Sequence, residues 1–238
     1  MKAVVWGANG AMGRLIRERL DGEVAGLVSL DGDEGVAKTG KELGPVCADV
    51  VIDFSHHSAA AEVIAYAKTI GAAAVIGTTG HTPEEKQLIL DAAKEIPVFF
   101  SANMSIGVAL LAELAKKAAS VFPEANIEIV EKHHNQKLDV PSGTALLLAH
   151  RIQEALTDTV LLVGRHENGK RTTREIGIHS LRMGNEVGTH EIIIATGAET
   201  ITLKHEAENR SLFANGALAA AKFLEGKPAG LYSMQDII

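Results

Sequence analysis

The sequence predicts two domains: an α/β domain with a parallel sheet covered by helices on both faces, and an α+β unit with a mixed sheet. Two observations carry this. Over the first hundred residues short, nearly all-apolar runs alternate with amphipathic ones, as strands buried on both faces alternate with their covering helices. Beyond about residue 105, strand-like runs follow one another with no helix between them, the mark of an antiparallel or mixed sheet. The 238 residues suffice for a sizeable core, and 46% hydrophobic with 22% charged residues is ordinary for a globular chain.

Lys2–Trp6 reads as a strand, a glycine loop follows, and Met12–Leu20 reads as a helix. Val24–Leu30 and Val50–Phe54 are the second and third strands, with the irregular, glycine-rich Asp31–Pro45 between them. Ser58 is expected to cap a helix running to about Ile70, and Ala72–Ile76 forms a fourth strand. In HTPEEKQLILDAAKE, Thr82 stands at the N-cap, Pro83 at the first helical position, and Glu85 where it completes a capping box. Val98–Phe100 is a fifth strand. Ile106–Val121 then reads as a long helix, Ile127–Glu131 as a strand, and Thr144 to about Leu156 as a helix. Val160–Val163, Glu175–Leu181, His190–Ala195 and Thr200–His205 are strand-like. Ser211–Glu225 is a last helix, expected to return to the first domain, and the tail LYSMQDII is partly apolar.

A net charge of −7 argues against a nucleic-acid or membrane-surface binder, each of which needs a basic patch, but it leaves room for a locally cationic site. Cys47 is the single cysteine, so no internal disulfide can form, as befits a reducing compartment. MKAVVWGANG reaches its glycines too soon for a signal peptide, and no apolar run approaches membrane-spanning length. The expectation is a soluble cytoplasmic protein.

VVWGANGAMGRL places Gly7, Gly10 and Gly13 between a strand and a helix. A pyrophosphate can approach backbone closely only where Cβ is missing, and the helix that follows offers free N–H groups and a favourable dipole. Asp31, after the second strand, could accept hydrogen bonds from ribose hydroxyls and would repel a 2′-phosphate; Asp33 or Glu34 could take that role, and a plain turn aspartate in DGDEG is the competing reading. GTTGHT and SANMS follow the fourth and fifth strands. There Gly77 permits close backbone approach, Thr78 and Thr79 offer hydroxyls, and Ser101, Ala102 and Asn103 could meet a carboxamide.

EKHHNQKLDVPSGTALL concentrates ionisable residues just ahead of a helix. Gly143 and Thr144 offer backbone donors for a carboxylate, Lys137 adds a mobile positive charge, and His133 and His134 titrate near neutrality. A dianionic substrate with one proton to receive calls for this mixture. A solvated, charge-rich loop before a capped helix is the bland alternative. Adjacent histidines point apart on a regular element and the others complete no ligand spacing, so no metal site is predicted. Asp139 reads as preparing the turn before Pro141.

GANGAMG, VIDFS, GTTG, SANMSIGV and above all EKHHNQKLDVPSGTA resemble the dihydrodipicolinate (4-hydroxy-tetrahydrodipicolinate) reductase family. The likeness continues through LRMGNEVGTHEIII, ITLKHEAENRSLFANGAL and GLYSMQDII, and so spans essentially the whole chain. It implies a Rossmann-type dinucleotide-binding domain over residues 1–104 with 213–238, and a substrate-binding and oligomerisation domain over 105–212. The implied reaction is NADH- or NADPH-dependent reduction of a cyclic imine dicarboxylate to tetrahydrodipicolinate in lysine and diaminopimelate synthesis, hydride transfer being followed by protonation. By this resemblance His133 and Lys137 are proton donors, while His134, Gly143 and Thr144 contact the substrate carboxylates. The cofactor is expected against Gly7, Ala8, Asn9, Gly10, Ala11 and Met12, against Asp31, against Gly77, Thr78 and Thr79, and against Ser101, Ala102, Asn103 and Met104. The family carries an Arg where this chain has Ala11, and Gly32 rather than a base follows Asp31, so NADH is expected to serve at least as well as NADPH. The resemblance further implies a homotetramer joined through the strand-rich segment Val160–His205. Two competitors are an aspartate or aspartate-semialdehyde dehydrogenase sharing the dinucleotide domain, and a non-catalytic NADH-binding redox sensor. The HHxxK…SGT string argues against the first, and a sensor has no need of His133 and Lys137 together.

Overall fold

The structure, a computed structural model, describes residues 1–172 and 174–238. In chain order its elements are β1 (Ala3–Trp6), α1 (Ala11–Arg19), β2 (Val24–Val28), α2 (Gly40–Leu43), β3 (Val50–Asp53), α3 (Ala60–Ile70), β4 (Ala73–Ile76), α4 (Pro83–Ala92), β5 (Pro97–Phe100) and α5 (Ile106–Val121). Then come β6 (Asn126–His133), α6 (Gly143–Gln153), β7 (Val160–Val163), β8 (Glu175–Arg182), β9 (Gly188–Ala195), β10 (Thr200–Ala207), α7 (Ser211–Phe223) and β11 (Gly230–Tyr232). The chain divides into two compact units, one formed by Met1–Ile106 with Ser211–Ile238 and the other by Gly107–Arg210.

The first unit is built on a six-stranded sheet in the order β11-β5-β4-β3-β1-β2, every neighbouring pair parallel. All four residues of β1 and of β3 are buried, which explains their lack of polar alternation. α1 packs with α7, and α3 with α4. One continuous core runs from Val4, Val51 and Ile76 of the sheet to Val63 of α3 and Ile89 of α4. The strand order reverses at β1, from which the chain moves first to β2 and then to the opposite side at β3. In such sheets ligands bind outside the carboxyl ends of the strands at this reversal.

Local chemistry sets the helix boundaries. Thr82 Oγ1 accepts from Glu85 N (3.2 Å) while the Glu85 carboxylate accepts from Thr82 N (2.8 Å), the expected capping box. Ser58 is not the cap of α3. It lies inside a 3-10 turn, His57–Ala59, whose cap is the His56 imidazole accepting from Ser58 N, and α3 begins only at Ala60. Two short elements escaped the sequence patterns, α2, with Thr39 as its cap, and β11, which pairs with β5. Four and three residues are too few to show a period.

The second unit has a five-stranded mixed sheet, β10-β9-β6-β8-β7. β10 and β6 flank β9 antiparallel, whereas β6, β8 and β7 run parallel. Ile127 and Ile129 of β6, Ile176 and Ile178 of β8, and Ile192 and Ile194 of β9 meet alanines and leucines of α5 and α6. Each such isoleucine is worth roughly 1.5–3 kcal/mol of burial. β6 runs two residues past its expected end, and this places His133 on a strand rather than in a loop.

Candidate active site

The glycine loop of the first unit is shaped by close approach. Gly7 has φ +79°, and a Cβ there would lie 2.3 Å from the Phe54 carbonyl oxygen. A Cβ on Gly13 would lie 2.2 Å from the Gly7 carbonyl oxygen, so α1 closes on the loop only because it is absent. Gly10 is the N-cap of α1 and no side chain among the described residues caps the helix, which suits its first-turn N–H groups to an anion. A cavity of about 370 Å³ opens beside the loop, with Gly7, Gly10, Asp31, Lys38 and Phe54 in its wall. Asp33 and Glu34 are not among its lining residues. Lys38 reaches the wall because Val36–Ala37 runs beside β2, Ala37 N donating to Leu27 O (3.0 Å) and Ser29 N to Ala37 O (2.9 Å).

The remaining strand ends of this unit are equally fixed. Gly77 N donates to Asp53 O (2.9 Å), and a Cβ on Gly77 would strike the Phe54 ring. Thr78 is buried, its Oγ1 accepting from Ser55 N (2.9 Å), whereas Thr79 is exposed. Ser101 Oγ donates to Asn103 O (2.7 Å) and Asn103 Oδ1 accepts from Ser105 N (2.8 Å), so these groups shape the turn itself, with Ala102 exposed between them. Met104 is buried, its carbonyl against Gly216 of α7. Beneath the crevice lies Asp53, fully buried, whose Oδ1 accepts from Ser55 N (3.1 Å) and Ser55 Oγ (2.5 Å). Its Oδ2 has no hydrogen-bond partner among the described residues, and burial pushes the carboxyl pKa up. The crevice fits a dinucleotide: glycines where a Cβ would block the backbone, an uncapped helix start for a pyrophosphate, and an acid after the second strand for a ribose.

In the second unit β6 carries a second arrangement. Ile127, Ile129, Glu131 and His133 alternate on one strand face, so two ionisable groups continue an apolar row. Glu131 is completely buried. Its Oε2 takes His133 Nδ1 (2.5 Å) and Arg182 Nη1 (2.9 Å), and its Oε1 takes Arg182 Nη2 (2.8 Å) and Ser142 N (3.2 Å). Burial alone would raise this carboxyl, but hydrogen bonds from His133 and Arg182 outweigh it and hold the group far below the usual carboxylate range. An ionised carboxylate only accepts, so Nδ1 of His133 carries a proton and Nε2 is the atom left to act elsewhere. A Cβ on Gly188 would stand 3.0 Å from Nε2, and glycine keeps that space open.

His190 pairs across the sheet with Glu131, and its ring stands edge-on to His133 at 5.2 Å. Burial, helped by the neighbouring His133, pushes it down to about 3, so it is a neutral imidazole; its Nε2 lies 3.1 Å from Ser142 Oγ. Ser142 is also the N-cap of α6, accepting from Ala145 N (3.1 Å), with Gly143 and Thr144 in the helix's first turn. The intervening loop is pinned by His134 N to Glu186 O (2.8 Å), Asn135 N to Gly184 O (3.2 Å) and Arg182 Nη2 to Asp139 O (2.7 Å). Lys137 Nζ lies 2.7 Å from Asp139 Oδ1; burial raises the Asp139 carboxyl, but the Lys137 hydrogen bond holds it low. Asp139 therefore grips Lys137 in addition to preceding the turn at Pro141.

His133, the Lys137 loop and the start of α6 thus meet at one end of this sheet, with His134 half-buried beside them. Sequence reasoning missed Glu131, Arg182 and His190. A usable signal was present, since an acid two residues before a histidine, continuing the Ile127–Ile129 alternation, is a buried charge in need of a partner. Among the described residues no group of three or more His, Cys, Asp or Glu could hold a metal ion, and no helix is long and apolar enough to cross a membrane.

The family model described as "Dihydrodipicolinate reductase, N-terminus" matches residues 1–104, and "Dihydrodipicolinate reductase, C-terminus" matches 107–238. The second match thus includes residues 211–238, which fold with the first unit. A 4-hydroxy-tetrahydrodipicolinate reductase of Caldanaerobacter subterraneus subsp. tengcongensis is 43% identical, the alignment covering 100% of this chain and 98% of that one. One of Rickettsia bellii is 46% identical, with 97% and 91% covered. Among solved structures, a dipicolinate-bound dihydrodipicolinate reductase from Paenisporosarcina sp. TG-14 superposes with TM-score 0.79 at 24% identity, covering 100% and 99%. An aspartate dehydrogenase from Thermotoga maritima reaches 0.52 at 14% identity, with 96% and 98% covered, a likeness of fold alone. With both family models matched in sequence order along nearly its full length, the chain belongs to the dihydrodipicolinate reductase family.

Proposed function

We propose that the chain catalyses the NAD(P)H-dependent reduction of the cyclic 4-hydroxy-tetrahydrodipicolinate dicarboxylate to tetrahydrodipicolinate, a step of lysine and diaminopimelate synthesis. The observation that carries the chemistry is the cluster on the second unit: a Glu131-oriented His133, Lys137, and the start of α6 at Gly143–Thr144. When bound, NAD(P)H supplies the hydride. Gly7, Ala8, Asn9, Gly10, Ala11 and Met12 are assigned to its pyrophosphate, Asp31 to its ribose, and Gly77, Thr78, Thr79, Ser101, Ala102, Asn103 and Met104 to the rest of the crevice.

The chain's own groups then handle anions and protons. First-turn N–H groups at Gly143 and Thr144, with His134, receive the substrate carboxylates, where helix dipole and hydrogen bonding act together. His133, through Nε2–H, and Lys137 hold the proton that the reduced ring takes up. The Asp139 carboxylate holds the Lys137 side chain in place. Loss of NADH absorbance with the freshly made condensation product of pyruvate and aspartate semialdehyde tests the reading; NADH binding without turnover would sink it and favour the redox-sensor alternative.

NADH is expected to serve at least as well as NADPH, because Asp31 disfavours a 2′-phosphate and Ala11 and Gly32 offer no base to receive one. Lys38 is the cation on the same wall, so Lys38→Ala should widen the preference for NADH in initial-rate comparisons. We further propose a homotetramer joined through the sheet of the second unit, whose edge strands β10 and β7 each have one neighbour; light scattering on the purified protein reads its mass. The exposed, unpaired Cys47 suits a reducing cytoplasm.

A further inference from the structure

We propose that Arg182 is a positioning residue that fixes both proton donors and the anion-binding helix start through one buried carboxylate, an inference that rests on the reduction proposed above. A carboxylate has room for about four hydrogen bonds. Glu131 fills all four, two from Arg182, one from His133 Nδ1 and one from Ser142 N. Arg182 is thus the partner that makes complete burial of that charge tolerable. The β6–β8 register places it directly opposite His133.

The guanidinium does a second thing. Nη2 also donates to the Asp139 carbonyl (2.7 Å), and the Asp139 side chain grips the Lys137 ammonium. Nη1 closes the arrangement on the Leu181 carbonyl (2.8 Å). One planar fork therefore holds three things in register: the His133 imidazole through Glu131 Oε2, the Ser142–Gly143 start of α6 through Glu131 Oε1, and the Lys137 loop through Asp139. A lysine would keep the charge but could not make two parallel bonds to Glu131 while reaching Asp139. Every residue in this chain of contacts belongs to the second unit, so its loss should spare the dinucleotide crevice.

The test is steady-state kinetics of wild type, Arg182→Ala and Arg182→Lys with the fresh condensation product and NADH, with and without millimolar guanidinium, alongside NADH titration. The expected result for Arg182→Ala is a fall in kcat on the order of 10²-fold and a rise in KM for the dicarboxylate, as misplacement by about an ångström produces. NADH affinity should stay unchanged, and guanidinium should restore activity to the alanine variant alone. Arg182→Lys, which keeps the charge and so the fold, should still lose about tenfold. A lysine variant within about twofold of wild type overturns the proposal. So does a loss in the alanine variant that guanidinium leaves unchanged and that extends equally to NADH binding. Should Arg182→Ala fail to fold, the lysine variant decides alone. If wild type itself shows no turnover, the reduction reading fails first. The positioning claim is then judged by ¹⁵N NMR of His133, which should be Nδ1-protonated in wild type and a tautomer mixture in Arg182→Lys; identical spectra overturn it.

Discussion

Each unit buries one carboxylate beside its candidate site, and the two are driven in opposite directions. Asp53, at the end of β3, is fully enclosed with neutral donors from Ser55 and Thr78, and burial outweighs them and raises its pKa. Glu131, near the end of β6, is equally enclosed, yet His133 and Arg182 hold it low. Burial alone therefore does not set the direction of the shift in these acids; the charge of the donors does. Asp53 braces the base of its crevice through Ser55, whereas the Glu131 carboxylate fixes the tautomer of His133.

The comparison can be broken in several places. The largest effect is expected from Lys137→Ala, which should cut kcat by roughly 10²–10⁴-fold. NADH affinity, read by quenching of Trp6 in the wall of the crevice, should not change. A matching loss of NADH binding would end the division of labour between the units. Glu131→Ala comes next, because it strands Arg182 without its counter-charge, and should cost about 3–5 kcal/mol in denaturant unfolding. A cost near that of an ordinary surface change would show that the pair is not buried in solution.

The pH dependence of stability should then differ in sign. Glu131 is depressed below its ordinary 4.5, so its contribution is present above that value and lost as pH falls toward the folded-state pKa. Glu131→Gln should flatten this acid limb in unfolding curves. Asp53 is raised above its ordinary 3.8, so its contribution is fullest below that value and lost as pH rises through the folded-state pKa. Asp53→Asn should therefore give the smallest effect, within about 1 kcal/mol, and should gain on wild type as pH rises. A variant that loses ground with rising pH would mean that Asp53 has a cationic partner in solution.

What the sequence made legible was local. The Thr82–Glu85 box, the Gly7 turn and the Ser142 start of α6 depend on residues within a few positions of one another, and their chemistry could be read directly. The two-unit organisation followed from whether helices separated the strands. Arg182 lies 51 residues from Glu131, and His190 reaches it only across the antiparallel β6–β9 register, so strand pairing had to be known first. The expected end of β6 at Glu131 also hid the row joining Ile127 to His133. Ser58 misled for a related reason, because a hydroxyl favours a cap wherever the turn permits, and here His56 had already taken that place.

Residues 211–238 complete the first unit after the whole of the second has been traced. During synthesis, the second unit has all of its strands before the first has its outermost one, and the free edge of β5 must wait for Gly230–Tyr232. Nascent chains halted at residue 210 should therefore resist protease across 107–210 while remaining labile before residue 107, an order of maturation set by the chain's route.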